Sequence, residues 1–430
     1  MAIPRGTFSD YLLVVRRPQA AAFLSASLIS GAGSALTTIA VPIAVYQMTS
    51  SLAALGTTWV IRIVVSFITL PLAGVVADRY DRRKTMVVSN YASILADGLM
   101  LLGFVAPDLR LLMAGLAVLQ AANRFHGPAS AALFPRFFAP DELPVANSAK
   151  AAVGQVVSLA APALGGLLAH GWGIAPLFVL DAVSFLVAAV IIARIRLNTE
   201  ARTRDTSRPG SPTAAYRVRS FVVDMRDGLL ASVASTPALV YLVTGAVGAA
   251  SARLVDVIGV PLTLDVLRLG PQGLGYLYSA MAAGSLVAIV LLPLARLERA
   301  DFRVYGLFEA LSAGLMIVFA VSRHPLLSLG SLGVRACLDT ISGVMLDTQV
   351  QKEICPSRLG RVSSAIFLSY VVGSLVGVGL AAGAGAQRAT TPFVVLAALT
   401  GMVGVWVARA YPLKDPSLPR SPHIRRTLSS

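Results

Sequence analysis

Long stretches without charge constrain this chain more than any other feature. The first extends from Pro18 to Ile61 without an acidic or basic residue, more than twice the roughly 20 residues that an α-helix needs to cross a bilayer. It therefore holds one membrane span and the beginning of a second. Read with a window of about 19 residues, the sequence predicts twelve spans, near residues 19–47, 57–77, 85–105, 110–132, 147–169, 174–193, 237–263, 271–295, 304–322, 326–350, 362–385 and 390–410.

Composition agrees with this pattern. Only 13% of the 430 residues are charged and 56% are hydrophobic, whereas about a quarter of the residues of a soluble domain are charged. A soluble globule of this length could not cover its surface with so little charge. We therefore predict an all-α membrane protein.

The placement of positive charge predicts its orientation. A formal charge of +15 would indicate a nucleic-acid partner in a soluble protein. Here, however, 28 of the 36 Lys and Arg residues lie in the termini and loops of one side of the predicted topology, and the loops of the other side hold four. The positive-inside rule then predicts a multi-pass protein of the plasma membrane with both termini cytoplasmic and without a nucleic-acid partner.

The predicted spans fall into two sets of six. Between them lies a polar segment with eight arginines and two prolines, which we interpret as a connector with an amphipathic helix around Phe221 to Leu230. The predicted organisation is an N-terminal six-helix bundle (1–193), a cytoplasmic connector (194–236), a C-terminal six-helix bundle (237–410) and a cytoplasmic tail (411–430). Secondary transporters commonly have this plan, with the substrate site between the halves near the membrane midplane.

The sequence does not contain the motifs that would indicate common enzyme or metal chemistry. The sequence contains neither a GxxxxGK[ST] nor a GxSxG motif, so nucleotide-driven transport by this chain and serine hydrolase chemistry are not indicated. The cysteines, Cys337 and Cys355, are too far apart on a helix for a disulfide, and the four histidines lack metal-ligand spacing. We expect a monomer without cofactor or metal, whose partners are a small-molecule substrate, protons and membrane lipid.

The most specific motif lies between the second and third spans. It reads Gly74-Val75-Val76-Ala77-Asp78-Arg79-Tyr80-Asp81-Arg82-Arg83-Lys84. This loop resembles the G-x-x-x-D-R-x-G-R-[RK]-[RK] signature of the major facilitator superfamily, with Asp81 in place of the usual glycine. The segment VPIAVYQMTSSLAALG and the later loop GPASAALFPRFFAPDELPVANSA are similar to the branch with macrolide-efflux and enterobactin-exporter proteins. The resemblance implies the major facilitator fold, with two bundles of six helices.

The same resemblance implies a gate. Gly74 allows helices to approach closely, and Asp78 can cap the N-terminus of a neighbouring helix, which the family implies is span eleven. Arg79, Arg82, Arg83 and Lys84 can bind acidic partners or lipid phosphates. The alternative interpretation is that these basic residues only set the orientation of the chain.

Charged residues within spans are the candidates for proton coupling or substrate binding, because each is costly in hydrocarbon and must face a partner or a cavity. They are Asp97, Arg124, Asp181, Asp256, Glu309, Asp339 and Asp347, with Arg62, Arg253 and Arg335 as candidate counter-ions. Spacing places Arg253 and Asp256, and Arg335 and Asp339, on shared helix faces, where they would form ion pairs, with or without a transport role. Asp97 and Glu309 have no such partner on their own helix.

Three further features bear on function. A carboxylate removed from water takes up a proton more readily, which suits Asp97 and Glu309 to proton coupling, and the resemblance implies that Arg124 tunes such a carboxylate. Asp181 has either a transport role or a packing role. Pro162, Gly165 and Gly166 resemble the end of the antiporter motif of drug exporters, in which proline bends the helix and glycine permits close packing.

These observations favour a secondary transporter that is not an enzyme. The hypothesis is export of a hydrophobic or amphipathic small molecule, such as an antibiotic, a siderophore or another metabolite, in exchange for protons by alternating access. One alternative is a facilitator that imports a polar nutrient, which would need a more polar central cavity than the Ala-, Val- and Leu-rich spans indicate. The other is a membrane scaffold that transports nothing, in which unpartnered acids within spans would have little use.

Overall fold

The computed structural model describes residues 17–195, 214–233, 235–294, 302–384 and 390–410. These described residues form thirteen long α-helices, which we number in chain order. They are α1 (Pro18–Thr49), α2 (Leu52–Arg79), α3 (Arg82–Val105), α4 (Leu109–Leu133), α5 (Leu143–Trp172), α6 (Ala175–Arg194), α7 (Ala214–Val233), α8 (Thr236–Pro261), α9 (Pro271–Leu294), α10 (Phe302–Val321), α11 (Pro325–Glu353), α12 (Pro356–Ala384) and α13 (Thr390–Ala410).

Twelve of these helices correspond to the predicted spans, and eleven are long and apolar enough to cross a membrane. The twelfth, α4, contains Arg110 and Arg124 and packs against α2 and α3. The outer surface agrees with a lipid environment, because large apolar side chains such as Ile68, Leu95 and Leu294 are exposed. The remaining helix, α7, confirms the amphipathic helix predicted in the connector.

Capping residues explain where several helices begin. Ser51 accepts a hydrogen bond from the backbone N–H of Ala54 at the start of α2, and Asp108 accepts one from Arg110 at the start of α4. Asp81, which replaces the glycine of the family signature, is the N-cap of α3 and accepts a hydrogen bond from the N–H of Lys84 at 3.1 Å. Since glycine is also a tolerated N-cap, this departure from the signature preserves the turn between α2 and α3.

The cap predicts a small, residue-specific effect on stability. Asp81→Ala is expected to lower the free energy of unfolding by about 1 kcal/mol, and Asp81→Gly by only a few tenths. Unfolding of the purified protein by heat or denaturant measures this difference. Asp141→Ala, at an exposed position, is the control; equal losses for the alanine and glycine variants would rule out the capping role.

The first six helices pack with one another, as do the last six. In the first half α1 packs against α5 and α6, and α3 against α4 and α6; in the second, α8 packs against α12, α9 against α11, and α10 against α13. Small residues permit the close approaches. A Cβ added at Gly373 or Gly377 of α12 would lie 2.0 Å from the carbonyl oxygen of Ala246 or 2.2 Å from that of Ala250 in α8. Close backbone packing of this kind stabilises helix pairs in lipid, where the hydrophobic effect does not.

The two halves meet mainly at the end of the bundle opposite the connector, which we call the far end. There the hydroxyl of Tyr46 in α1 donates a hydrogen bond to Asp265, 2.5 Å away in the π-helical turn that follows α8. Next to it, α5 packs against α9, and α2 packs against α12. At the connector end, α7 packs against α12, where Arg361 and Asp227 form an ion pair at 3.6 Å.

Candidate functional site

A cavity of about 280 Å³ lies between the two halves. We call it the central cavity; its walls come from α2 and α4 of the first half and from α8 and α12 of the second. Arg62 lies roughly 15 Å along α2 and Phe367 roughly 16 Å along α12, at about 1.5 Å of rise per residue. The cavity therefore lies near the middle of the spans. Its polar and aromatic lining residues are Trp59, Arg62, Ser66, Gln120, Arg124, Arg253, Phe367, Tyr370 and Ser374.

Three arginines dominate this lining. Arg253 forms the predicted ion pair with Asp256 at 2.9 Å, and its guanidinium lies 3.9 Å from the centre of the Trp59 ring. Arg62 faces the same ring at 5.3 Å. Both are favourable cation–π contacts, and the one with Arg253 joins the two halves of the protein.

Arg124 is held by hydroxyl rather than carboxylate groups. Its Nε donates a hydrogen bond to Ser66 at 3.0 Å, and Gln120 donates to the same hydroxyl at 2.7 Å. Among the described residues, neither Arg62 nor Arg124 forms an ion pair. A guanidinium within a membrane span must face a partner or a cavity, and here both face the central cavity.

A second cavity, of about 200 Å³, lies within the second half. It brings together Glu309 of α10 with Arg335 and Asp339 of α11. The predicted Arg335–Asp339 ion pair is present at 3.3 Å, and Ser312 connects its two members, donating to Asp339 at 2.6 Å and accepting from Arg335 at 3.2 Å. Tyr370 of α12 lines both cavities, so the two cavities adjoin at this residue.

The first half contains a pair of buried carboxyl groups. Asp97 of α3 is 1% exposed and Asp181 of α6 is fully buried, and the two are neighbours, with the hydroxyl of Thr37 from α1 beside both. Ser184 donates a hydrogen bond to Asp181 at 3.2 Å. Both oxygens of Asp97 and one of Asp181 make no hydrogen bond, and no described basic residue forms an ion pair with either group. Sequence spacing did not predict this pairing, since the two residues lie on different helices.

The signature loop is described in part. Gly74 lies in α2, and Arg82 is half-buried at the start of α3. The side chains of Asp78 and Arg79 lie outside the described part of the chain. Arg83 donates a hydrogen bond to the carbonyl of Ile195 at 2.8 Å, which satisfies the C-terminal end of α6, and the side chain of Lys84 is exposed.

The residues resembling the antiporter motif lie against two neighbours of α5. A Cβ on Gly165 would contact Leu36 of α1 at 3.2 Å, whereas one on Gly166 would lie 2.9 Å from the Cα of Gln272 in α9. In turn, a Cβ on Gly275 would lie 2.4 Å from the carbonyl oxygen of Pro162. The motif is therefore part of the contact between the halves at the far end.

Comparison with known proteins identifies the family. The sequence profile of the Major Facilitator Superfamily matches residues 23–330. The chain belongs to the Major Facilitator Superfamily. Like other members it is a multi-pass membrane transporter and not an enzyme, and its fold is that of the superfamily.

Relatives and solved structures agree with this membership. The chain is 25% identical over 387 residues to the enterobactin exporter EntS of Escherichia coli O1:K1 / APEC, covering 87% of each chain. Its fold is similar to that of a bacterial homologue of the iron transporter ferroportin in an inward-facing state, with a TM-score of 0.73, 16% identity and coverage of 91% and 98%. The nucleoside transporter NupG is also similar, with a TM-score of 0.69, 12% identity and coverage of 91% and 97%.

The charged residues of this superfamily member could be identified from the sequence, but the surroundings of some of them could not. Arg62 and Arg253 were expected to be counter-ions; Arg253 is one, paired with Asp256, and both arginines also line the central cavity. For Arg62 a signal was available, since no acid lies three or four residues away on its own helix, which favours a cavity-facing position. Arg124 lies at the central cavity, whereas Asp97 faces Asp181; the structure does not bring these two candidates together.

Proposed function

We propose that this transporter exports an amphipathic small molecule in exchange for protons by alternating access, in the plasma membrane and with both termini cytoplasmic. The observation that carries the coupling is the Asp97–Asp181 pair. Two ionised carboxylates enclosed together, with no described basic residue paired to them, would repel each other and lose their hydration. One shared proton removes the repulsion and halves the buried charge, so we propose that the pair holds a proton in the conformation described here.

Alternating access requires that this proton be released on one side of the membrane. The pair lies where α1, α3 and α6 meet, and α1 also contacts the second half through Tyr46 and Asp265. A movement of the halves that breaks this contact would change the surroundings of α1 and, through Thr37, of the carboxyl pair. This geometry supports coupling between the far-end contact and the proton site.

Further residues have proposed roles in the same cycle. Glu309, Arg335 and Asp339 would take part in coupling or binding within the second half. The loop from Gly74 to Lys84 remains our candidate gate, with Asp78 and Arg82 as its central residues. The export direction is supported by the EntS relatives, which are enterobactin exporters.

One observation favours a second candidate, the import of a polar solute. An importer of a polar nutrient would need a polar central cavity, and three arginines line the described central cavity. Import and export predict opposite accumulation in membrane vesicles of opposite orientation. The direction can therefore be measured separately from the coupling ion.

Everted membrane vesicles with an acidic interior test the proposed function. With enterobactin as the first probe, followed by a panel of amphipathic drugs, we expect accumulation inside vesicles that contain the protein and loss of accumulation after addition of a protonophore. Vesicles without the protein are the control. Accumulation that persists with the protonophore would exclude proton coupling, and accumulation confined to right-side-out vesicles would identify an importer.

A further inference from the structure

The charge of the central cavity is unusual for a site open to a neutral or cationic substrate. Arg62, Arg124 and Arg253 all face it. The one ion pair that they form, within the described part of the chain, is between Arg253 and Asp256. The Arg62 guanidinium is attracted by the Asp256 carboxylate and repelled by the Arg253 guanidinium. Three guanidinium groups and one carboxylate leave a formal surplus of two positive charges.

Two of these arginines are close enough to act on one ligand. Arg124 donates a hydrogen bond to Ser66, and the Ser66 hydroxyl in turn donates to the carbonyl of Arg62, one helical turn earlier in α2. The Arg124 guanidinium therefore lies beside the turn that carries Arg62. Neither guanidinium forms an ion pair within the described part of the chain, and the hydrogen bond from Arg124 Nε to Ser66 uses one of the five N–H groups of that side chain. An anion that enters the cavity could therefore bind to both.

Aromatic rings surround the charged groups. Trp59 lies beside the guanidinium groups of Arg62 and Arg253, and Phe367 and Tyr370 line the wall formed by α12. A volume of about 280 Å³ is near the lower end of the roughly 300–1,000 Å³ typical of small-molecule sites. The space therefore suits a small ring compound better than a large apolar drug.

We propose that the central cavity binds an organic anion in which a compact acidic group, such as a carboxylate, is attached to an aromatic ring. Arg62 and Arg124 bind the acidic group, and Trp59 and Tyr370 pack against the ring. The assignment rests on the proposed function and takes this cavity, which lies between the halves near the middle of the spans, as the transport site. It narrows the substrate from amphipathic molecules in general to aromatic anions.

A binding experiment without any gradient tests the assignment. The chain contains three tryptophans; replacement of the exposed Trp172 and Trp406 by phenylalanine leaves Trp59 as the reporter in the full-length protein in lipid nanodiscs. The probes are 4-nitrobenzoate, 4-nitrobenzamide and 4-nitrobenzylammonium, which share a fluorescence-quenching ring and differ in charge. We expect the anion to quench Trp59 with at least about tenfold higher affinity than the amide, and the cation to bind most weakly.

Substitutions test which residues cause the preference for the anion. Arg62→Gln and Arg124→Gln are each expected to weaken 4-nitrobenzoate binding about tenfold and to leave 4-nitrobenzamide binding unchanged, because each removes a charge-assisted hydrogen bond. Arg124→Lys keeps the charge and should retain part of the preference. Arg110→Gln, at an exposed position outside the cavity, is the matched control. Gel filtration establishes that each variant is folded.

The results that would overturn the proposal are equally specific. The first is binding of 4-nitrobenzamide or 4-nitrobenzylammonium that is as tight as or tighter than binding of 4-nitrobenzoate, in the protein that retains all three arginines. The second is an unchanged preference for 4-nitrobenzoate over 4-nitrobenzamide in both Arg62→Gln and Arg124→Gln. If the glutamine variants do not fold, the ranking of the three probes decides alone. Because no gradient is present, a failure of proton coupling or of the export direction would leave this result unaffected.

Discussion

Neutralising the buried carboxyl pair is expected to abolish gradient-driven transport without unfolding the protein. If one proton is exchanged per substrate, a pH difference of about two units supports roughly a hundredfold accumulation, since each tenfold ratio corresponds to about 1.4 kcal/mol. Asp97→Asn and Asp181→Asn should each reduce this ratio to about one, because an amide cannot pick up and release the proton. Exchange of labelled for unlabelled substrate across the vesicle membrane, which needs no net proton movement, should persist.

The unfolding behaviour separates a coupling role from a packing role. No described basic residue pairs with Asp97 or Asp181, so an uncharged amide leaves no guanidinium without its partner. Asp256→Asn is the contrasting variant. It leaves the partly buried Arg253 without its ion-pair partner, and the cost of about 3–5 kcal/mol that is typical for removing one member of a fully buried pair is an upper bound here.

Asp141→Asn, at an exposed position, is the control for loss of an acidic side chain. Full accumulation in both Asp97→Asn and Asp181→Asn would exclude the pair from coupling. A loss of exchange together with accumulation would instead indicate a general defect in transport. In that case the pair would have a packing role, which the sequence left open for Asp181.

A methyl group at Gly275 is expected to drive the two halves apart at the far end. Its Cβ would lie 2.4 Å from the carbonyl oxygen of Pro162, far inside van der Waals contact with the backbone of the neighbouring helix. Overpacking of this kind typically costs about 1–3 kcal/mol. The described conformation would then lose roughly five- to 150-fold in population relative to one in which α5 and α9 are separated.

Spin labels on the two halves measure this separation. Cys337 and Cys355 are first replaced, and labels are attached to Trp172→Cys in α5 and to Val266→Cys beyond α8, both at exposed positions. The distance between the labels should become longer in Gly275→Ala. Gly171→Ala is the matched control, because a Cβ at Gly171 would meet no atom within 4 Å; an unchanged distance in Gly275→Ala would contradict the proposed contact.

Several parts of this protein could be predicted because they depend on local sequence. The predicted spans follow from apolar length, a property of about 20 consecutive residues, and among the described helices α4 is the one predicted span that does not meet this criterion. The Arg253–Asp256 and Arg335–Asp339 ion pairs follow from helical spacing, and both are present. The amphipathic helix of the connector was also predicted, although it begins before the expected position.

The sequence predicted which residues belong to the candidate sites but not which of them are neighbours. Within the predicted spans the costly charged residues include Asp97, Asp181, Arg62 and Arg124. Which of these side chains are neighbours depends on how the helices pack. Asp97 could equally have paired with Arg124, on the next helix along the chain. Instead α3 turns its carboxylate toward α6, and α4 turns its arginine toward the other half.

The sequence by itself determined that the chain crosses the membrane many times, which faces carry positive charge and which residues are too polar to face lipid. These properties depend on transfer from water to hydrocarbon, which acts on each segment separately. Only the tertiary structure decided that two carboxyl groups share one enclosed site and that three arginines surround the central cavity. Those arrangements depend on close approaches between distant helices, set by small residues such as Gly33 and Gly275 whose contacts no local pattern specifies.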